Sequence, residues 1–339
     1  MSLPPGLRLP VDVVLARPVA QIPAPTALPG GCSYELKFDG FRCVIARDGA
    51  QVSLWSRRGT DLTSAFPEIS AAAEQLASGT VLDAEIVIWT AGRLDFGSLQ
   101  ERMGRGPRKA AQHARVHPAS AAVFDVLATG GDDVRAMPFS LRRALLEDLA
   151  ALWRPPLNLS PTTSDVDEAR EWFETYIVAG VEGLVVKGAD QPYRGGQRDW
   201  LKVKHRSTVD VVCAAVIGPR TAPEQVVAGL PVNGHLRIVG RTGPLNPVAR
   251  RALADVLRAP MGEHPWPAVV PAGEFGRFGR ERGPVELTRV NPVVVEVSAD
   301  AAWSGSSYRH LLRFVRLRPE LHPMDLVAPA ATSGNASLE

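Results

Sequence analysis

Glu35-Leu36-Lys37-Phe38-Asp39-Gly40-Phe41-Arg42 follows a Pro/Gly-rich leader and precedes an alternating run, Cys43 to Arg47, that reads as a strand. Lys37 is therefore expected at a strand end, with Gly40 permitting a tight turn and close approach to a ligand. The chain has only five lysines, at positions 37, 109, 187, 202 and 204, and arginine carries most of the other positive charge. Both residue types hold phosphate, but only lysine can give up a proton and become a nucleophile. A Lys-x-Asp-Gly stretch also fits an ordinary solvated hairpin, so the decision between the two readings falls to the segments downstream.

Those segments come in order. Ser56-Arg57-Arg58-Gly59 follows a second short strand, and Asp83-Ala84-Glu85-Ile86-Val87-Ile88-Trp89 and Ala122-Val123-Phe124-Asp125-Val126-Leu127 each set a carboxylate in an apolar run. Val181-Glu182-Gly183-Leu184-Val185-Val186-Lys187 and Trp200-Leu201-Lys202-Val203-Lys204 close the series. Burying an unpaired charge in such runs is costly, so they are expected to be strand ends opening on a charged site. Alternation puts Lys202 and Lys204 on one face, where two ammonium groups repel and suit a polyphosphate. Glu85 and Glu182 are the candidate ligands for a divalent cation, magnesium or manganese, whose hard charge favours oxygen donors. A free lysine has a pKa of ~10.4, so attack by Lys37 at neutral pH calls for such a cation and partial desolvation.

Together these motifs resemble those of the covalent nucleotidyltransferases: ATP-dependent DNA ligases, RNA ligases and mRNA capping enzymes. Within that superfamily the chain is most similar to the small stand-alone bacterial ATP-dependent DNA ligases of the ligase C type, related to the ligase domain of ligase D. The resemblance covers about residues 11 to 325. It implies an α+β fold, an ATP-grasp-like nucleotidyltransferase domain of mixed sheets and helices followed by a small OB-fold β-barrel. It also implies sealing of 3′-OH/5′-phosphate nicks in duplex DNA through a lysyl-AMP on Lys37 and a DNA-adenylate, in the service of DNA repair. Carried over by motif, Lys37, Asp39, Arg42, Lys202 and Lys204 are the catalytic set. Glu35 would contact adenine and Phe124 stack on it. Arg42 and Arg57 would grip ribose or the 5′-phosphate, Lys187 would join the ATP-binding set, and Arg318 would orient the departing pyrophosphate. The family's last motif, Arg-x-Asp-Lys, reads Arg318-Pro319-Glu320-Leu321 here, with the acid lengthened and the terminal lysine missing. The alternative is an RNA ligase or a capping-type guanylyltransferase with the same lysine chemistry; Ser56-Arg57, Phe124-Asp125 and Trp200 to Lys204 favour the DNA ligase.

Composition is compatible with this. The 339 residues are 45% hydrophobic and 22% charged, and can form about two domains with real cores. Three cysteines without C-x-x-C spacing cannot build a four-cysteine zinc site and are expected as buried thiols. No apolar stretch reaches the ~18 residues of a membrane span, and the first residues lack a signal-peptide pattern, so a cytoplasmic, nucleoid-associated monomer is expected. A net charge of only +2 gives no bulk argument for nucleic acid. Local clusters do: Arg102, Arg105, Arg108 and Lys109; Arg277, Arg280 and Arg282; and Arg309, Arg313, Arg316 and Arg318 are expected to meet phosphates.

Along the chain, strands alternate with amphipathic segments, Leu141 to Leu152 and Asp165 to Val178, the latter capped by Ser164 or Asp165. After Lys204 short apolar runs, Val209 to Ile217, His235 to Gly240 and Val293 to Ser298, are separated by Gly/Pro turns, with Pro247 to Leu257 as one helix. The expected division is an adenylation domain over 1–205, a β-barrel domain over 209–325 and a disordered tail over 326–339, with a polar hinge near His205 to Thr208.

Overall fold

The alternation of side chains along Cys32–Lys37 and Phe41–Asp48 builds the architecture, because each strand sends its odd and even residues into different layers. The structure is a computed structural model that describes residues 2–104, 106–232, 234–275, 283–300, 303–304, 307–308 and 310–326. The chain divides into two units, Met1–His205 and Arg206–Glu339.

The first unit runs β1 (Ala16–Pro18), β2 (Cys32–Lys37), β3 (Phe41–Asp48), β4 (Gln51–Ser56), α1 (Pro67–Ala73), β5 (Thr80–Thr90), β6 (Arg93–Leu94), α2 (Phe96–Glu101) and α3 (Pro107–Val116). It continues through β7 (Ala119–Thr129), β8 (Asp132–Asp133), α4 (Phe139–Ala150), β9 (Leu157–Leu159), β10 (Thr162–Thr163), α5 (Val166–Thr175), β11 (Gly183–Gly188) and β12 (Trp200–Lys204). One sheet has the order β1-β12-β11-β2-β10; the other has β4-β3-β5-β7-β8, with β6 on β5 and β9 on β7.

Parity sorts the residues into three layers. Cys32, Tyr34, Leu184, Val186 and Leu201 pack beneath α5 with Ala169, Trp172 and Phe173. Cys43, Ile45, Leu82, Ala84 and Ile86 pack beneath the helices with Phe66, Ile69 and Leu146. Val44, Ala46, Val81 and Leu127 of one sheet meet Trp200 and Val185 of the other, so the two sheets face each other across a third apolar layer. Each wholly buried aliphatic side chain contributes about 1.5–3 kcal/mol. What parity leaves for the inner faces is Glu35, Lys37, Lys187, Lys202 and Lys204 on one sheet, and Arg42, Asp83, Glu85 and Phe124 on the other. β2 and β3 belong to different sheets, so the link Phe38-Asp39-Gly40 crosses the seam between them. It hugs β5 so closely that a Cβ on Gly40 would lie 2.2 Å from the Ile86 carbonyl oxygen and 2.9 Å from Glu85 Cγ. Close approach, rather than an unusual turn angle, is why glycine stands there.

Several expectations change. The carboxylates Asp83, Glu85 and Asp125 lie within long strands, Thr80–Thr90 and Ala119–Thr129, rather than at strand ends. They are tolerated there because cations answer them: Arg42 of the neighbouring strand pairs with Asp83, Arg142 of α4 with Asp125, and Lys37 and Arg42 lie near Glu85. In α4 the ends of the expected amphipathic stretch, Leu141 and Leu152, are exposed, whereas Arg142 and Arg143 point inward. Arg102 is fully buried rather than part of a phosphate-binding surface: it donates to Glu68 at 2.7 Å, to the Ala65 and His117 carbonyls and to His113 Nδ1. Arg105, Arg277, Arg280, Arg282, Arg309 and all but the first residue of the expected tail lie outside the described residues. Asp165 does cap α5, accepting from the Asp167 and Glu168 amides. The three cysteines are free and buried.

The second unit is β-rich: β13 (Arg206–Ile217), β14 (Gln225–Val232), β15 (His235–Arg241), α6 (Pro247–Val256), β16 (Val269–Pro271), β17 (Pro284–Glu286), β18 (Thr288–Asp300), β19 (Trp303–Ser304), β20 (Ser307–Tyr308) and β21 (Arg313–Leu317). Its main sheet is antiparallel with the order β15-β14-β13-β18-β21. α6, capped by Asn246, buries Ala249 and Leu253 against Val211, Cys213 and Val295. β14 lies outside the expected runs; it carries Pro231, a residue usually kept off central strands, opposite Leu236 of β15. Among the described residues no helix is long and apolar enough to cross a membrane.

Candidate active site

Register places the lysines. Gly183 of β11 lies between Lys37 of β2 and Lys204 of β12, and Val185 lies between Glu35 and Lys202. At about 4.8 Å per strand spacing, two long lysine side chains on the strands flanking β11 can reach a common partner between them. That partner is Glu182, just before β11: Lys37 Nζ is 2.5 Å and Lys204 Nζ 3.2 Å from its Oε2. Its amide donates to the Lys37 carbonyl and its own carbonyl accepts from the His205 amide, so its backbone is tied to both lysine strands. Gly183 keeps the gap between the lysines clear; its φ of +145° and a Cβ position 2.0 Å from the Val203 oxygen exclude any other residue.

The two acids expected to hold a metal differ in electrostatic setting. Burial would raise Glu182, but Lys37 and Lys204 outweigh it and hold the carboxyl down at about 2. Glu85 is pushed up to about 7 by burial, with Lys37 and Arg42 opposing and Asp39 and Asp83 adding to the rise. Burial, then the neighbouring Lys37 and Lys204, lower Lys202. Glu182 Oε2 is buried and lacks a partner in hydrogen-bond geometry, although two ammonium groups lie within ion-pair range. No cluster of three or more metal-ligating side chains occurs among the described residues. Two hard carboxylates nevertheless fit magnesium or manganese, which retain water and phosphate oxygens as further ligands.

Arg42 is placed differently from the expected ribose or phosphate grip. Its Nε and Nη2 pair bidentately with Asp83 at 3.0 and 2.6 Å, and Nη1 donates to the Val14 carbonyl. Tyr193 donates to the same Asp83 at 2.6 Å, and the guanidinium lies 4.9 Å from the Trp200 ring centroid. Burial would lower the basicity of Arg42, but the Asp83 carboxylate more than reverses this and raises it. Its charge is thus largely answered within the protein. Asp83, Tyr193, Trp200 and Val14 were missed as site partners; the signal for Asp83 was its place in the same apolar run as Glu85, two residues apart and hence on one face.

Lys187 requires a correction. Its side chain is 0% exposed, and its ammonium donates to Glu35 Oε1 at 2.9 Å and the Phe124 carbonyl at 2.8 Å, with Asp125 at 4.0 Å. It sits 4.5–4.7 Å from the ring centroids of Phe124, Phe139 and Trp200. It therefore presents nothing to a nucleotide, and the Glu35 carboxylate, expected on adenine, is turned to Lys187 instead. Burial is the leading influence on both, raising Glu35 and lowering Lys187, and their pairing opposes it. Beyond them Arg142, fully buried on α4, holds Asp125 bidentately at 2.8 and 3.0 Å. Phe124 itself is partly exposed, edge-on to Trp200.

Arg57 is exposed on the turn after β4. In the second unit Arg318 is held by carboxylates: Asp210 at 2.8 Å, Glu320 at 2.6 Å and Glu296 at 3.7 Å.

A strand-end lysine beside an acidic residue and two further lysines, set between facing sheets, defines a nucleotidyltransferase-like ligase fold. The sequence matches the ATP dependent DNA ligase domain family over residues 14–204. It is 36% identical to DNA ligase C2 of Mycolicibacterium smegmatis, over 92% of this chain and 91% of that protein. It is 35% identical to DNA ligase C of Mycobacterium tuberculosis, over 93% and 91%. A solved structure from an analysis of Lig E DNA ligases has the same fold, with a TM-score of 0.54 at 17% identity, covering 91% of this chain and 99% of that one. The chain belongs to the ATP-dependent DNA ligase family, enzymes that form phosphodiester bonds.

Proposed function

We propose that this ligase seals 3′-OH/5′-phosphate nicks in duplex DNA with Lys37 as its nucleophile, in the service of DNA repair. The carrying observation is the 2.5 Å pair between Lys37 and Glu182, flanked by Lys204. The neutral amine of Lys37 attacks the α-phosphorus of ATP; the N–P bond forms as the bond to the β-phosphate oxygen breaks, and pyrophosphate leaves. A 5′-phosphate oxygen at the nick then takes the AMP and returns the amine to Lys37. The 3′-hydroxyl attacks the 5′-phosphorus and expels AMP, leaving a phosphodiester.

Each residue has a part. Lys202 and Lys204 stand one residue apart on a single strand face and meet phosphate oxygens. Phe124 offers an aromatic face to adenine, while Arg42, fixed by Asp83 and Tyr193, walls the site and Asp39 shapes the link beside Glu85. Glu85 and Glu182 would hold a divalent cation, which would supply positive charge beside the triphosphate. We read the second unit as an OB-fold domain; its five-stranded antiparallel sheet and the helix α6 support this. Arg318 then faces pyrophosphate only after leaving Asp210 and Glu320.

Incubation with α-labelled ATP and magnesium should label the wild-type chain, and Lys37→Arg should lower labelling by at least about a thousandfold, since arginine supplies no neutral nitrogen. Undiminished label at another lysine would sink the assignment.

A further inference from the structure

The ladder of buried charge behind Phe124 is larger than packing requires. Arg142, Asp125 and Lys187 have no exposed side-chain surface, and Glu35 has almost none. Each replaces what an apolar residue could fill at lower desolvation cost. Their contacts converge on one place. Asp125 follows Phe124 in β7 and is gripped by Arg142 through Nε and Nη2. Arg142 also donates to the Met137 and Gln191 carbonyls at 2.6 and 3.0 Å, which ties that grip to two loops. Lys187 takes the Phe124 carbonyl itself at 2.8 Å. The peptide that follows Phe124 is thereby fixed twice: its carbonyl by an ammonium from the facing sheet, and the next side chain by a guanidinium from α4. β7 is irregular here, with its register against β5 shifting between Asp83 and Ala84, so ladder hydrogen bonds alone do not hold this stretch.

We propose that Arg142, through Asp125, and Lys187, through the Phe124 carbonyl, are positioning residues that set the ring of Phe124 for the adenine base. This rests on the reading that Phe124 stacks on adenine. The ladder touches neither nucleotide nor metal; it acts by holding an aromatic face in a bound-ready orientation, so its loss weakens ATP binding rather than the chemical step.

The test compares self-adenylation by Phe124→Leu, Arg142→Lys and the neutral pair Asp125→Asn with Arg142→Gln, alongside the fluorescence of bound 2-aminopurine riboside triphosphate, which stacking quenches. Phe124→Leu should raise the KM for ATP about tenfold or more and relieve the quenching. Arg142→Lys should raise KM about fivefold, with kcat within about twofold and partial relief of quenching. If Arg142→Lys does not fold, the amide pair, which leaves no unpaired buried charge, carries the same expectation. If Phe124→Leu has its effect while the ladder variants keep wild-type KM and quenching, or lose kcat alone, the positioning role is overturned. If Phe124→Leu itself changes neither quantity, the stacking reading fails and the inference falls with it.

Discussion

Two charged clusters, each with a Lys–Glu pair on the sheet of β2 and β11, differ in depth. Lys37, Glu182 and Lys204 have side chains 22, 9 and 18% exposed; Lys187, Glu35, Asp125 and Arg142 are between 0 and 2%. A lysine that solvent and substrate can reach is able to exchange its partner, whereas a sealed lysine cannot without leaving a bare charge in an apolar layer. The first cluster is therefore suited to chemistry and the second to holding shape, and the lesson is that depth, rather than residue type, divides them.

The sharpest way to break this comparison is to remove one lysine from each cluster. Lys187→Met leaves the Glu35 carboxylate buried without its ammonium, and should lower stability by about 3–5 kcal/mol. Lys37→Met leaves Glu182 with Lys204 and should cost less than about 1 kcal/mol while abolishing adenylation. Urea unfolding of both variants checks this, and similar losses in the two would erase the distinction.

A second contrast lies within the reachable cluster and has a sign. The pKa of Glu182 falls from about 4.5 unfolded to about 2, so its contribution is fully present above pH ~4.5 and is lost as pH falls from there towards 2. The pKa of Glu85 rises from about 4.5 to about 7, so stability is present below pH ~4.5 and lost as pH climbs to 7 and beyond. In chelator at pH 8, Glu182→Gln should destabilise the protein by about 1–3 kcal/mol, and Glu85→Gln should stabilise it by a similar amount. Both should fail to seal nicks. Thermal melts from pH 4 to 8 decide it; equal shifts of one sign would show that the two acids share one environment.

The smallest expected effect concerns arginine. Arg108 and Lys109 are exposed on α3, while Arg102, six residues earlier, is buried. Arg108→Ala should change stability by less than about 0.5 kcal/mol and reduce the salt slope of DNA binding by roughly 0.9. Arg102→Ala should unpair Glu68 and destabilise the fold without changing that slope. Titrations across a tenfold range of salt test both.

Much of this site was legible. Lys37 at a strand end, and Lys202 with Lys204 on one face, follow from local spacing, and two-residue alternation needs no knowledge of the tertiary fold. What spacing cannot give is which layer closes over a residue. Lys187 and Lys202 both alternate with apolar neighbours, and only the arrival of Phe124 and Phe139 from elsewhere seals the first. Arg142 reads as solvated in any helix, because its partner Asp125 is seventeen residues away on a strand. Glu85 and Asp125 were expected at strand ends because the cost of burying them was visible but the cations that answer them, from other strands and from α4, were not.

The strand order β1-β12-β11-β2-β10 also bears on how the molecule is made. The sheet carrying β3, β4, β5 and β7 joins neighbours in sequence and can assemble once residue 129 has emerged from the ribosome. The sheet carrying Lys37 cannot: β2 must wait for β11, and β1 for β12, so the last lysines translated complete the first ones. At roughly 5–20 residues per second, the nascent unit spends several seconds with Lys37 on an unpaired strand. During refolding, amides of β3 and β5 should gain protection from exchange before those of β2 and β11; the reverse order would contradict this sequence. The cluster around Lys37 is thereby postponed until the unit is whole, because an interrupted chain lacks both Glu182 and Lys204.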